Sequence, residues 1–116
     1  MPHIILETTA DLPENSGIPD ILEALCAKLA SFETVDSKAI KAYHTLRSVW
    51  VMGAGSAPGF AHCTVKILKG RAPELRKKMS AGMYEELKNH FQESLGLKEV
   101  LLTLELHEMD SETYHK

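Results

Sequence analysis

Phe60-Ala61-His62-Cys63-Thr64-Val65-Lys66-Ile67-Leu68-Lys69-Gly70-Arg71-Ala72-Pro73 is the stretch on which the fold turns. Ala61, Cys63, Val65 and Ile67 alternate with His62, Thr64 and Lys66. Successive side chains of a strand point to opposite faces, so this period of two predicts a strand with one apolar and one polar face. Lys69-Gly70-Arg71 then reads as a turn. Pro73 suits the first turn of a helix, where its missing N–H costs nothing. Leu75, Met79, Met83, Leu87 and Phe91 recur every four residues, so the helix is expected to run down to Leu95 and to stop at Gly96. Val100, Leu102, Leu104 and Leu106 alternate with Leu101, Thr103, Glu105 and His107, which predicts a closing strand. The order is strand, helix, strand.

The first half of the chain has the same order. Pro2-His3-Ile4-Ile5-Leu6-Glu7-Thr8-Thr9-Ala10-Asp11-Leu12 opens with an apolar run that reads as a strand anchored in a core. Pro13-Glu14-Asn15-Ser16-Gly17 is a turn cluster. Ile18, Ile21, Leu22, Leu25 and Leu29 share one face of a helix predicted over 18–32. Asp20 and Glu23 near its start and Lys28 near its end suit the helix dipole. A break at Thr34-Val35-Asp36-Ser37 precedes a strand predicted over 38–52, long enough to be bent or bulged.

A strand-helix-strand unit favours a right-handed crossover between parallel strands. Two such units predict an α+β fold: a duplicated β-α-β arrangement with a four-stranded mixed sheet and two helices on one face. The chain of 116 residues is expected to be a single domain. Residues 1–58 hold the first unit and its loop, 59–108 the second, and 109–116 a polar tail expected to fray. No third layer is available for the other sheet face, so oligomerisation is expected to cover its apolar groups.

Composition narrows the function classes. The formal net charge is −3, and the basic residues form no stripe, which argues against a nucleic-acid partner. Arg76-Lys77-Lys78 reads as a solvated helix face. No apolar stretch approaches the ~18 residues of a membrane span, and the N-terminus has no basic segment of a signal peptide. Cys26 and Cys63 fall on apolar faces and read as reduced core residues of a cytoplasmic protein. The histidines, at positions 3, 44, 62, 90, 107 and 115, show no ligand spacing on a helix, so no metal is expected. Gly53-Ala54-Gly55-Ser56-Ala57-Pro58-Gly59 has Pro58 where a dinucleotide fingerprint needs glycine, and a strand follows it instead of a helix. No G-x-S-x-G elbow or cysteine-nucleophile signature is present. No cofactor is expected.

What chemistry remains lies at the start. If Met1 is removed, Pro2 begins the chain as a secondary amine. A terminal amine has a pKa of roughly 8, and burial or a nearby cation lowers it. A base titrating near neutral pH is what proton-transfer catalysis needs. With Met1 attached, the Pro2 nitrogen is a tertiary amide and no base. The plainer reading of Pro2 is a removable methionine and nothing more. Lys41, Arg47 and Arg71 are cations that would hold an anion. Lys41, Tyr43, Thr45 and Arg47 share one strand face, which is either an anion site or a solvent-facing surface. Arg71 stands at a strand-to-helix joint, beside a helix N-terminus that also favours anions.

Pro2-His3-Ile4-Ile5-Leu6-Glu7, the Gly70-Arg71 turn and the duplicated β-α-β order resemble the tautomerase superfamily, in the branch of 5-carboxymethyl-2-hydroxymuconate isomerase. Trp50-Val51-Met52, Phe60-Ala61-His62 and Asn89-His90-Phe91 are similar to that branch as well, and the likeness spans Pro2 to Glu108. The resemblance implies a homotrimer with active sites at subunit boundaries and a cofactor-independent isomerase of aromatic catabolism. It implies that Pro2 shuttles a proton in an enol or unsaturated keto acid while arginines grip the carboxylates. Arg71 matches one such arginine. Lys41 stands where a second is expected, and Tyr43 at a further one. Lysine keeps the charge but loses the bidentate fork. Two other readings fit the element order: a ferredoxin-like βαββαβ ligand-binding module, and a tautomerase-fold trimer without activity.

Overall fold

The computed structural model describes every residue from Met1 to Lys116. The first unit is β1 (His3–Thr9), α1 (Ile18–Ala30) and β2 (Lys41–Arg47). The second is β3 (Gly59–Leu68), α2 (Pro73–Asn89), the short α3 (Gln92–Gly96) and β4 (Val100–Met109). The four strands form one sheet in the order β2-β1-β3-β4. β1 pairs parallel with β2, and β3 parallel with β4. β1 and β3 join the two pairs antiparallel, with Leu6 opposite Cys63. The strands of each unit are therefore direct neighbours. The ferredoxin-like fold splits its βαβ units, so the topology sets that reading aside.

The alternation read from the sequence puts one sheet face under the helices. Ile4 and Leu6 of β1, Ala61, Cys63, Val65 and Ile67 of β3, and Val100 and Leu102 of β4 are buried there. They pack with Ile21, Leu25 and Leu29 of α1, with Met79, Met83 and Leu87 of α2, and with Phe91 in one continuous core. The opposite face is more polar than expected. His3, Glu7, Tyr43, Thr45, His62, Thr64 and Thr103 alternate with the core positions, and Ile5, Phe60, Leu68, Leu101 and Met109 bring apolar side chains among them.

Several boundaries differ from the sequence reading. α1 ends at Ala30 and not at Phe32, because the Ser31 and Phe32 amides turn back to Lys28 and Leu29. The strand expected over 38–52 is only Lys41–Arg47. A single 3₁₀ turn, Ser37–Ala39, precedes it, with the Asp36 carboxylate accepting the Lys38 amide at 3.0 Å. Its far end follows β1: Ala10 donates to the Arg47 carbonyl at 3.0 Å, and β1 offers no further rung. Beyond that point Val49 and Val51 are 91% and 95% exposed. The second helix breaks after Asn89, where His90 and Phe91 tighten onto Leu87 and Lys88. The helical run still stops at Gly96, the last residue of α3, and the chain then reverses at Lys98, with φ 58°. The tail is folded: the Thr113 and Tyr114 amides both donate to the Asp110 carbonyl.

Candidate active site

Pro2 is buried at the N-terminal end of β1, where the chain enters the sheet. Its carbonyl accepts the Lys41 amide at 3.0 Å, extending the β1–β2 ladder by one rung. A recess of about 220 Å³ opens beside it. Pro2 and Met1 share its wall with Thr34 and Asp36 from the α1–β2 connection, Arg71 from the β3–α2 joint, and Lys116 from the tail.

The amine of Met1 donates to the Ala39 carbonyl at 2.9 Å. Burial is the main cause that lowers its pKa, and the charges of Lys41 and Lys116 add to this. Asp36 opposes them. The Met1 amine therefore gives up its proton more readily than an ordinary terminal amine.

Arg71 is brought to the recess by its turn. Gly70 has φ 127°, a left-handed conformation that favours glycine, and this swings the next residue off the end of β3. The guanidinium is then fixed. Nε donates to the Thr34 hydroxyl at 2.8 Å, Nη2 to the Thr34 carbonyl at 3.0 Å, and Nη1 to the Leu68 carbonyl at 3.1 Å. A guanidinium carries five N–H groups, so one remains on each terminal nitrogen.

Lys41 is beside the recess without lining it. Its side chain is exposed on the sheet face of its register partner His3, with Nζ 3.4 Å from the Ala39 carbonyl. Arg47 is elsewhere. It lies opposite Thr9 at the far end of β2 and is engaged by Glu7, with Nε 3.0 Å from the carboxylate. The shared face of Lys41, Tyr43 and Arg47 therefore does not converge on one anion.

The structure adds residues that the sequence reading did not single out. Thr34 and Asp36 lie in a segment read only as a break, and Tyr114 and Lys116 in a tail expected to fray. His3 stands between two tyrosines, with Nε2 2.9 Å from the Tyr114 hydroxyl and Nδ1 3.5 Å from that of Tyr43. Both rings meet it edge-on. Burial first, then Lys41, the terminal amine and Lys66, lower the His3 pKa. No three His, Cys, Asp or Glu side chains converge as a metal-holding group. Burial pushes the Cys63 thiol up to about 12, so it is no nucleophile near neutral pH.

Two parallel strand pairs joined antiparallel, helices on one face, and a recess at the first proline define a member of the tautomerase superfamily. The crystal structure of a 5-carboxymethyl-2-hydroxymuconate isomerase from Deinococcus radiodurans R1 has the same fold with a TM-score of 0.89, at 28% identity, over 99% of this chain and 87% of that one. A fused 4-OT, solved as a symmetric trimer, shares the fold alone: the TM-score is 0.66 and the identity 16%, over 91% of this chain and 85% of that one. The 5-carboxymethyl-2-hydroxymuconate Delta-isomerase of Escherichia coli is 26% identical over 110 residues, 94% of this chain and 87% of its own length. The sequence profile of 5-carboxymethyl-2-hydroxymuconate isomerase matches residues 2–116. The chain belongs to that family of isomerases.

Proposed function

We propose that this chain, once Met1 is removed, moves a proton within an enol or unsaturated keto acid through the amine of Pro2. The observation that carries this reading is the recess shared by Pro2 and Arg71. The neutral amine takes a proton from a dienol oxygen or an activated carbon. The resulting ammonium returns it at a conjugated carbon, so the atoms balance without a cofactor. Arg71 binds a carboxylate of the substrate through its remaining N–H groups. Lys41 acts from the rim, through its field on the amine and on the approaching anion. Stabilising the enolate-like oxygen beside these cations supplies most of the rate.

The relatives are named for a carboxymethyl-substituted muconate, a tricarboxylate; our reading takes a substrate of that class, within the breakdown of aromatic compounds and in the cytoplasm. A homotrimer is part of the reading. It is supported by the 4-OT trimer of the same fold, by the uncovered sheet face, and by the exposed Val49 and Val51.

The test is ketonisation of phenylenolpyruvate or 2-hydroxymuconate by protein whose N-terminus is shown by mass spectrometry to be Pro2. Pro2→Ala is expected to remove most of the rate, and a fusion placed ahead of Pro2 to do the same. Equal rates for wild type and Pro2→Ala refute the base assignment. No turnover of any enol by the Met1-free protein leaves the inactive trimer as the reading.

A further inference from the structure

Thr34 has φ 73°. This left-handed region is uncommon for any residue with a side chain and an outlier for a β-branched one. The only other non-glycine residue there is Lys98, which reverses the chain after α3, a place where helices commonly end in this way. No helix ends at Thr34. Strained backbone of this kind persists only where the surroundings hold it, and such residues cluster at ligand clamps.

What holds Thr34 is Arg71. In this turn the carbonyl and the hydroxyl of one residue face the same way and accept from Nη2 and Nε, so they fill one edge of the guanidinium. The Leu68 carbonyl pins Nη1. A free arginine would sample many rotamers and lose that freedom on binding. Arg71 has already lost it, and the one N–H left on each terminal nitrogen is a preformed fork for a carboxylate.

We infer that Thr34 is a positioning residue: its strained turn holds Arg71 with the fork presented to the recess, so that a substrate carboxylate docks without reorganisation. This rests on the reading of Arg71 as the carboxylate ligand. The substrate class it selects is one whose carboxylate lies within reach of Pro2 when gripped by both terminal nitrogens of Arg71.

The experiment is a calorimetric titration of glutarate, an unreactive dicarboxylate, into Met1-free wild type, Thr34→Val, Thr34→Ser, Thr34→Gly and Arg71→Met. KM and kcat for 2-hydroxymuconate are measured alongside. Thr34→Val is expected to weaken glutarate roughly tenfold, the scale of one lost hydrogen bond to a charged group. KM rises by a similar factor, and any fall in kcat stays well short of that in Arg71→Met, where the cation itself is lost. Thr34→Ser keeps the hydroxyl and restores affinity. Thr34→Gly relaxes the backbone, folds without strain and shows the same weakening as Thr34→Val, so the answer does not depend on one variant's stability. If Thr34→Val and Thr34→Gly bind glutarate and substrate like wild type while Arg71→Met does not, Thr34 has no positioning role and the carboxylate reading survives. If Arg71→Met also binds like wild type, the carboxylate reading falls and this inference falls with it.

Discussion

Nε2 of His3 stands 2.9 Å from the hydroxyl of Tyr114, 111 positions later in the chain. This contact folds the polar tail back over the first strand, next to Pro2, and brings Lys116 to the recess wall. Tyr114→Phe keeps the ring and deletes the hydrogen bond. The expected result is faster hydrogen exchange at the Thr113 and Tyr114 amides and a loss of about 1 kcal/mol or less in global stability. Unchanged exchange in the tail refutes the latch.

The histidines give stability a pH dependence of known sign. Burial lowers the pKa of His44 in the fold, and burial followed by nearby cations lowers that of His3. The unfolded chain, with histidine near 6.5, then binds more protons than the native one. This contribution is complete above about pH 6.5 and is lost as pH falls through that value toward the folded pKa. Urea midpoints from pH 7.5 down to 5 are expected to fall less steeply for His44→Gln than for wild type. The difference isolates this histidine from the carboxylates, and parallel curves refute it. Nε2 of His44 stands 2.7 Å from the Thr8 hydroxyl, whose own proton goes to Asn15, so the ring is left to donate and Gln can keep a donor there.

Glu14 caps Ser94 from 80 residues away, accepting its amide at 3.0 Å as well as its hydroxyl. Ser94 is fully buried. Glu14→Ala leaves both donors without a partner, and a destabilisation of about 1–3 kcal/mol is expected. Ser94→Ala removes only one of them and should cost less. A double-mutant cycle with denaturant melts checks the coupling; strict additivity refutes it.

Gly59 begins β3 against the end of β1. A Cβ there would stand 2.5 Å from the Thr9 hydroxyl and 2.6 Å from the Asp11 carboxylate. That hydroxyl accepts the Phe60 amide at 3.0 Å and donates to Asp11 at 2.6 Å, so it cannot give way without breaking both. Gly59→Ala is expected to cost about 1–3 kcal/mol, seen as a lower thermal midpoint. A neutral result refutes the close approach.

Lys41 predicts a change in the pH–rate profile. Its charge lowers the pKa of the Met1 amine, after burial, and the same field is expected to act on the Pro2 amine once Met1 is removed. The neutral amine is the proposed base, so the rate rises with pH through that pKa. Lys41→Met removes a lowering influence and should move the rising limb to higher pH, while KM increases less than in Arg71→Met. A limb that stays in place removes Lys41 from the mechanism.

Most of the architecture was legible because burial imposes its period on the chain. Ala61, Cys63, Val65 and Ile67 had to face one way on any regular strand, and they are the fully buried residues of β3. The extent of β2 was not legible. Arg47 and Ser48 differ little in their own propensity, and what ends the strand is the end of β1 at Thr9, a fact about a partner. The recess shows the same division. Pro2 and Arg71 stand out locally, one by its position and the other by the glycine turn before it. Thr34 carries no local signal of its role, because its partner lies 37 residues away. Lys41 and Arg47 looked like a pair on pattern alone, and the six-residue span between them in the register sends them to opposite ends of the sheet.

The loop between β2 and β3, exposed at Gly53 to Ser56, is the covalent bridge between the two β-α-β halves. Pro2 and Thr34 belong to the half before it and Arg71 to the half after. A chain nicked there would keep both parallel strand pairs, and the antiparallel seam of β1 and β3 would be left to recruit one fragment onto the other. Neither fragment alone would hold a complete constellation, so catalysis by the mixed pieces would report complementation across that seam.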